Sequence, residues 1–326
     1  MKPHERRPSL DADENGMLIE TDMQTLVITA MALGLALLGI YTFPIPKASF
    51  RVIYSKVPAT VVALLSSFRR RSSLKRFKAG RITWRYYDTG SGREAVLFLH
   101  GMGGAGDIWF QQIEALNNNF RCIAVTYPPV PTLDMLRAGI QGILEQENIS
   151  RVNLVGSSMG GYLAQFLAGS NPELVKRVVL ANTFPPNEVI SRRAAMGVRY
   201  LPCVPEWAIL AGARRNAWRL LYPASGNSEL VKAYLYEQTC GAMRKHDLIA
   251  RCACLCQFFR TPDLDALGIP ALIIASDNDP MVGPDLLIRL KKAYPSAAVR
   301  IFASAGHFPY LNRPEEYNQA LADFLS

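Results

Sequence analysis

Three side chains, met in the order Ser158, Asp279 and His307, have the types and surroundings that nucleophilic catalysis requires. A serine hydroxyl is a poor nucleophile at neutral pH. It needs a base to take its proton, a carboxylate to orient that base, and N–H donors for the oxyanion. Ser158 lies in Gly156-Ser157-Ser158-Met159-Gly160-Gly161, after the apolar run Val152–Val155 and before a helix-forming stretch that opens at Met159. A sharp strand-to-helix turn has space only for small residues two positions either side of the nucleophile, and Gly156 and Gly160 stand there. Ser157 has Val155 and Met159 at those positions, so Ser158 is the expected nucleophile.

The remaining roles have candidates in a consistent chain order. Asp279, in Asp277-Asn278-Asp279-Pro280, follows an apolar strand and is the expected orienting acid, with Asp277 second; Asp is also a common loop cap. His4, His100, His246 and His307 are the histidines of the chain, and His307 alone follows a strand downstream of Asp279. His100-Gly101-Met102-Gly103-Gly104 ends an earlier strand, where an oxyanion loop belongs, which makes the backbone N–H groups of Met102 and Met159 the expected donors. A phosphate-binding role for Gly101–Gly104 is disfavoured, because the Lys-Ser/Thr of a phosphate loop is missing.

Positioning these groups calls for strands that alternate with helices, and the sequence supplies them from residue 81 onward. Strands are expected at 82–87, 95–100, 121–127, 151–155, 177–181, 271–275 and 299–303, with amphipathic helices between, the pattern of a mainly parallel sheet. The alternation breaks between Phe184 and about Arg260, a helical insertion rich in aromatic residues and arginine. Upstream, residues 24–46 carry an uncharged run from Thr25 to Phe43, close to the roughly 20 residues that span a bilayer. A transmembrane helix is therefore expected there, between an acidic tail at 1–23 and a basic juxtamembrane segment at 47–80.

Charge supports that division. Residues 47–87 hold eleven basic and no acidic side chains, whereas 88–326 hold 22 basic against 21 acidic. The excess of +9 thus points to a bilayer with anionic head groups rather than a nucleic acid, and the positive-inside rule puts the C-terminal part in the cytoplasm. Val57–Phe68 is too short to span and reads equally as an interfacial or a linker helix. Cys252-Ala-Cys254-Leu-Cys256 lacks the CxxC spacing of a metal site, so structural or lipid-modified thiols are expected, with no metal and no cofactor.

With these motifs in hand, the sequence from about residue 80 resembles the α/β-hydrolase superfamily, on His100–Gly104, Gly156–Gly161, Asp277–Pro280 and Gly306–Leu311. The resemblance implies an α/β-hydrolase fold whose insertion 184–260 caps the active site and sets substrate choice. Trp109–Leu116, Val125–Pro128 and Phe308–Leu311 look like the maspardin branch, which implies an adaptor role. That branch has Asn where His307 stands here, a departure that favours activity. The expected function is a membrane-anchored serine esterase for a lipid or other hydrophobic acyl ester, with a non-catalytic membrane scaffold as the alternative.

Overall fold

The computed structural model describes residues 13–72 and 74–326, with side chains from residue 23 onward. The acidic tail expected at 1–23 lies outside those side chains, apart from Met23. The chain divides into two compact units, Met1–Pro44 and Ile45–Ser326.

The first unit contains the helix Asp13–Tyr41. Its portion Met23–Tyr41 is 19 residues long, has a mean hydropathy of 2.0 and buries no residue. Hydroxyls on it turn inward, with Thr29 donating to the Thr25 carbonyl at 2.8 Å. The helix stops at Tyr41 rather than at 46, because Pro44 and Pro46 push the residues before them out of the helical region.

The second unit is built on an eight-stranded sheet. Its strands are β1 (Leu74–Ala79), β2 (Ile82–Asp88), β3 (Glu94–Leu99), β4 (Phe120–Thr126), β5 (Val152–Ser157), β6 (Val175–Ala181), β7 (Ala271–Ser276) and β8 (Ala298–Phe302). They lie in the order β1-β2-β4-β3-β5-β6-β7-β8. β1 and β2 are antiparallel, as are β2 and β4, and every other pairing is parallel. Alternating side chains feed the two faces: Leu97 and Leu99 enter one core, Val96 and Phe98 the other. Burial on both faces explains why the central strands read as nearly continuous apolar runs. The parallel strands all end at one edge, and the loops leaving that edge carry the candidate residues.

Two expectations fail in the stretch 47–80. The sheet unit begins at Ile45 and includes β1, so its boundary is not at 81. The helix Ala59–Arg71 is neither interfacial nor a linker, because Leu65 and Phe68 are buried in the same core as Phe98 and Trp109. Its basic residues meet acids from far along the chain. Arg69 donates through Nε to Asp107 at 2.8 Å, and through Nη1 and Nη2 to Glu237 at 2.9 and 2.8 Å. Tyr54 and Tyr234 complete this cluster, each donating at 2.6 Å, to Glu237 and Asp107 respectively. Lys75 on β1 bridges Asp88 and Glu147, both at 2.7 Å.

Between β6 and β7 the chain forms the helices Glu188–Tyr200, Glu206–Asn216, Glu229–Glu237 and Lys245–Cys256, with π-helical turns at Ala217–Leu221 and Gln238–Ala242. They make up the cap.

Candidate active site

The turn at Ser158 is fixed by the lack of space around it. β5 ends at Ser157 and the helix Met159–Ser170 starts two residues later, which leaves Ser158 at φ 56° and ψ −120°. This is a conformation that non-glycine residues adopt only when their surroundings enforce it. A Cβ on Gly156 would lie 2.3 Å from the Gly160 carbonyl oxygen, and one on Gly160 would lie 2.0 Å from the Leu99 oxygen. The elbow's own backbone is anchored by Ser158 N–H donating to Ala181 at 2.9 Å, and by the Thr183 hydroxyl donating to the Ser158 carbonyl at 2.6 Å.

Asp279 and His307 arrive from the loops after β7 and β8. His307 Nδ1 lies 2.8 and 3.0 Å from the two Asp279 oxygens, and both side chains are buried. The loops are joined residue by residue. Asp277 accepts from Ser304 N–H at 2.7 Å, Asn278 accepts from Gly306 N–H at 2.8 Å, and Asp279 takes His307. Asp277 is exposed and occupied with its loop, so of the two acids it is Asp279 that meets the histidine. Asp279 also accepts from Met281 N–H at 2.8 Å, Val282 N–H at 3.1 Å and the Asn182 amide at 2.8 Å. Burial opposes ionisation of Asp279, but His307, Asn182 and the Met281 N–H outweigh it and hold the carboxyl below its usual range.

The glycine loop after β3 lies against the elbow, since a Cβ on Gly101 would sit 3.1 Å from Ser158 Cβ. Its orientation is set by His100. The Tyr127 backbone N–H can only donate, and it faces His100 Nε2 at 3.3 Å, so Nδ1 carries the hydrogen and donates to the Gly101 carbonyl at 2.8 Å. In a trans peptide the N–H of Met102 then points away from that carbonyl. Burial, assisted by the nearby Arg251 charge, pushes the His100 imidazole well below its ordinary value, so it stays neutral. Neither the Met102 nor the Met159 N–H has an acceptor among the described residues. Met159 is the first residue of its helix, where N–H groups have no intrahelical partner.

Ser158, Met102 and His307 line one cavity of about 500 Å³, closed on the cap side by residues such as Leu220, Leu235 and Met243. Met159 is buried and is not among the residues that line this cavity. Asn182, Thr183, Asn278 and His100 complete the arrangement and escaped the motif reading as positioning groups. Each follows the end of a parallel strand, which is the signal that marks such residues in open α/β sheets.

Residues 96–320 match the model of the alpha/beta hydrolase family. The chain is similar to a 2-hydroxy-6-oxononadienedioate/2-hydroxy-6-oxononatrienedioate hydrolase of Paraburkholderia phymatum. The two are 29% identical over 268 residues, which cover 74% of this chain and 90% of that protein. Among solved structures it is similar to a hydrolase from Pseudomonas aeruginosa PA01, with a TM-score of 0.67, 21% identity, and coverage of 78% of this chain and 99% of that one. It is also similar to the enol-lactonase from Burkholderia xenovorans LB400, with a TM-score of 0.66, 19% identity, and coverage of 77% and 99%. At these identities the structural likeness speaks for the fold. By the family match over most of its length, the chain belongs to the alpha/beta hydrolase family.

Proposed function

We propose that this hydrolase is a serine esterase that works through an acyl-enzyme. The observation that carries the reading is the buried Asp279–His307 pair, at 2.8 Å, in the cavity that Ser158 also lines. In this mechanism His307 takes the Ser158 proton as the hydroxyl oxygen attacks the acyl carbon, and returns it to the leaving alcohol. Asp279 keeps the Nδ1 hydrogen of His307 in place, so that Nε2 is the basic nitrogen. The N–H groups of Met102 and Met159 hold the oxyanion, a donor type whose single loss typically costs about 2.7–4 kcal/mol of transition-state stabilisation. Water then repeats the sequence to release the acid. The apolar lining of the cavity supports a hydrophobic acyl group.

The relative's dienedioate substrate makes carbon–carbon bond hydrolysis the neighbouring alternative, since the same nucleophile, base and oxyanion donors serve both bonds. A non-catalytic scaffold would leave the Asp279–His307 pair and its three further hydrogen-bond donors without a task. Labelling of the purified chain by a fluorophosphonate probe tests the enzyme reading. The intact chain is expected to label, and Ser158→Ala and His307→Ala variants are not. Equal labelling of the Ser158→Ala chain would sink it.

The exposed apolar helix Met23–Tyr41 supports single-pass membrane anchoring with the hydrolase domain in the cytoplasm. Protease treatment of sealed, cytoplasm-out vesicles checks this: residue 326 is expected to be accessible, and its protection refutes the orientation.

A further inference from the structure

The cap helix Glu188–Tyr200 packs one side inward and leaves the other bare. Ala194 is buried, and a Cβ on Gly197 would lie 2.8 Å from the Cys252 sulfur of the cap helix Lys245–Cys256. Val189, Arg192, Arg193, Met196, Arg199 and Tyr200 have the spacing of a single helical stripe, and all six are exposed, Met196 and Tyr200 to 56% each. This stripe holds apolar and cationic side chains and no acid. A second bare strip follows it. The helix Glu206–Asn216 ends on Arg214 and Arg215, and the π-helical turn Ala217–Leu221 exposes Trp218 to 55%, together with Arg219 and Leu220. Arg193 from the first strip and Leu220 from the second are exposed and also line the cavity that holds Ser158 and His307, so the two strips meet at its opening.

From Val189 to Leu221 the chain has six arginines and one acid, Glu206, and Arg244 occupies that acid at 2.8 Å. Arg192 pairs with Glu188 at the helix start, and Arg214 donates to the Thr239 carbonyl at 2.8 Å. Arg193, Arg199, Arg215 and Arg219 have no ion pair among the described residues. Apolar side chains exposed singly need no explanation. Here they are interleaved with unpaired arginines around the opening of an apolar cavity. A second copy meeting this surface across a two-fold axis would set the same arginines against each other. A nucleic acid would match the arginines but leave Val189, Met196 and Leu220 unused. A bilayer surface with anionic head groups matches both parts of the pattern. Aliphatic side chains enter the acyl boundary, Trp and Tyr sit at head-group level, and arginines meet the phosphates.

We propose that this face of the cap docks onto an anionic lipid surface and turns the cavity opening toward it, so that a hydrophobic ester reaches Ser158 from the bilayer. The delivery of an ester rests on the serine-esterase reading; the docking does not. Trp218, Met196 and Tyr200 enter the interface, and Arg199, Arg215 and Arg219 hold the cap there through the head groups.

The test uses the full chain reconstituted in vesicles of phosphatidylcholine alone or mixed equally with phosphatidylglycerol, with brominated acyl chains that quench nearby tryptophans. The helix Met23–Tyr41 is able to hold the chain on either vesicle, so the readout is contact of the cap and not vesicle binding. Trp84 and Trp109 are buried, and the difference between the intact chain and Trp218→Phe isolates Trp218. Trp218 is expected to be quenched in the mixed vesicles. The quenching is expected to fall at least threefold in phosphatidylcholine alone, and equally in a variant combining Arg199→Gln, Arg215→Gln and Arg219→Gln. Equal quenching of the intact and Trp218→Phe chains, or Trp218 quenching indifferent to lipid charge and to the three substitutions, overturns the proposal. Trp218 fluorescence that responds to polyglutamate but not to lipid would mark an acidic protein as the occupant and likewise overturns it. None of the three arginines lines the cavity. In mixed vesicles the triple variant is therefore expected to cleave 4-nitrophenyl dodecanoate, which resides in the bilayer, at least tenfold more slowly than the intact chain does, and water-soluble 4-nitrophenyl acetate at an unchanged rate. An equal fall for both esters overturns the delivery of substrate from the bilayer. The fluorescence requires no turnover, so absence of any hydrolysis with Trp218 quenching intact counts against the esterase reading alone.

Discussion

A methyl group added to Gly160, at the carboxyl edge of the sheet, would lie 2.0 Å from the Leu99 carbonyl oxygen. One added to Gly212, in the cap helix Glu206–Asn216, meets no atom within 4 Å. The edge is fixed by backbone packed against backbone: the elbow, the glycine loop and the paired loops after β7 and β8 each have one arrangement available. The cap is held mainly by side chains, with backbone contact where its Ala224 and Ser225 lie against Gly306. It exposes Met196, Tyr200, Trp218 and Leu220, and interrupts its helices with π-helical turns. Its ties to the rest of the domain include Glu237 and Tyr234 around Arg69 and Asp107, Arg251 on Met102, and the Ala224 and Ser225 carbonyls, which accept from the Asn278 and Asn312 amides. A reaction that needs fixed geometry is served by the first kind of construction. The choice of substrate, which varies by side-chain substitution, is served by the second.

This contrast can be tested most severely at the edge. Ser158→Ala is expected to lower hydrolysis of a 4-nitrophenyl ester by on the order of 10⁶-fold, and Asp279→Asn by about 10⁴-fold, with folding intact by circular dichroism. If either variant keeps more than a tenth of the activity, the edge is not where the chemistry lies. Next comes the glycine pair. Gly160→Ala is expected to destabilise the domain by about 3 kcal/mol or more, since backbone rather than a flexible side chain must move. Gly212→Ala is expected to stabilise it by about 0.5–1 kcal/mol through helix propensity. Urea unfolding of both variants reads the difference, and equal effects would erase the distinction between the two regions.

Arg69→Gln probes the tie between them. Removing the cation leaves Asp107 and Glu237 facing each other in a largely buried site, and a loss of about 3 kcal/mol is expected in the same urea assay. A loss below about 0.5 kcal/mol would mean that the cap docks without this cluster.

The smallest effects lie in the pH dependence. His100 has a depressed value in the folded chain, whereas the unfolded chain takes up its proton near about pH 6.5. Its contribution to stability is therefore complete above about pH 6.5 and declines as the pH falls below that value. Asp279 is also depressed, so its contribution is present above about pH 4 and is lost only in stronger acid. Urea midpoints between pH 7 and 5 are expected to fall for the intact chain and to fall less for His100→Gln. Parallel slopes would show that His100 is protonated in the folded state.

The sequence was most legible where steric demands are local. The nucleophile turn, the glycine loop and the chain order of acid and base follow from residue types and their spacing, and the structure brings those residues to one edge. It was least legible across 47–80. There β1 carries three basic residues in six, Leu74-Lys-Arg-Phe-Lys-Ala79, as edge strands do when charge protects them from pairing with other chains. Read alone, that charge looks like a basic tether. Phe77 gives no local sign that it packs onto Gly142, where an added Cβ would lie 2.3 Å from its ring.

By itself, then, the amino-acid sequence determined the elbow around Ser158, because the space two residues either side of a nucleophile is a property of the turn and not of the fold. It also determined the parallel sheet, through apolar runs of strand length separated by amphipathic helices. Only the tertiary structure decided which acid meets His307, where the domain begins, and what becomes of the charges. Each of these depends on groups far apart in the chain: Asn182 with Asp279, Arg69 with Glu237, Arg251 with Met102. Electrostatic and hydrogen-bond partners are chosen by distance in space, and residue spacing carries no record of that.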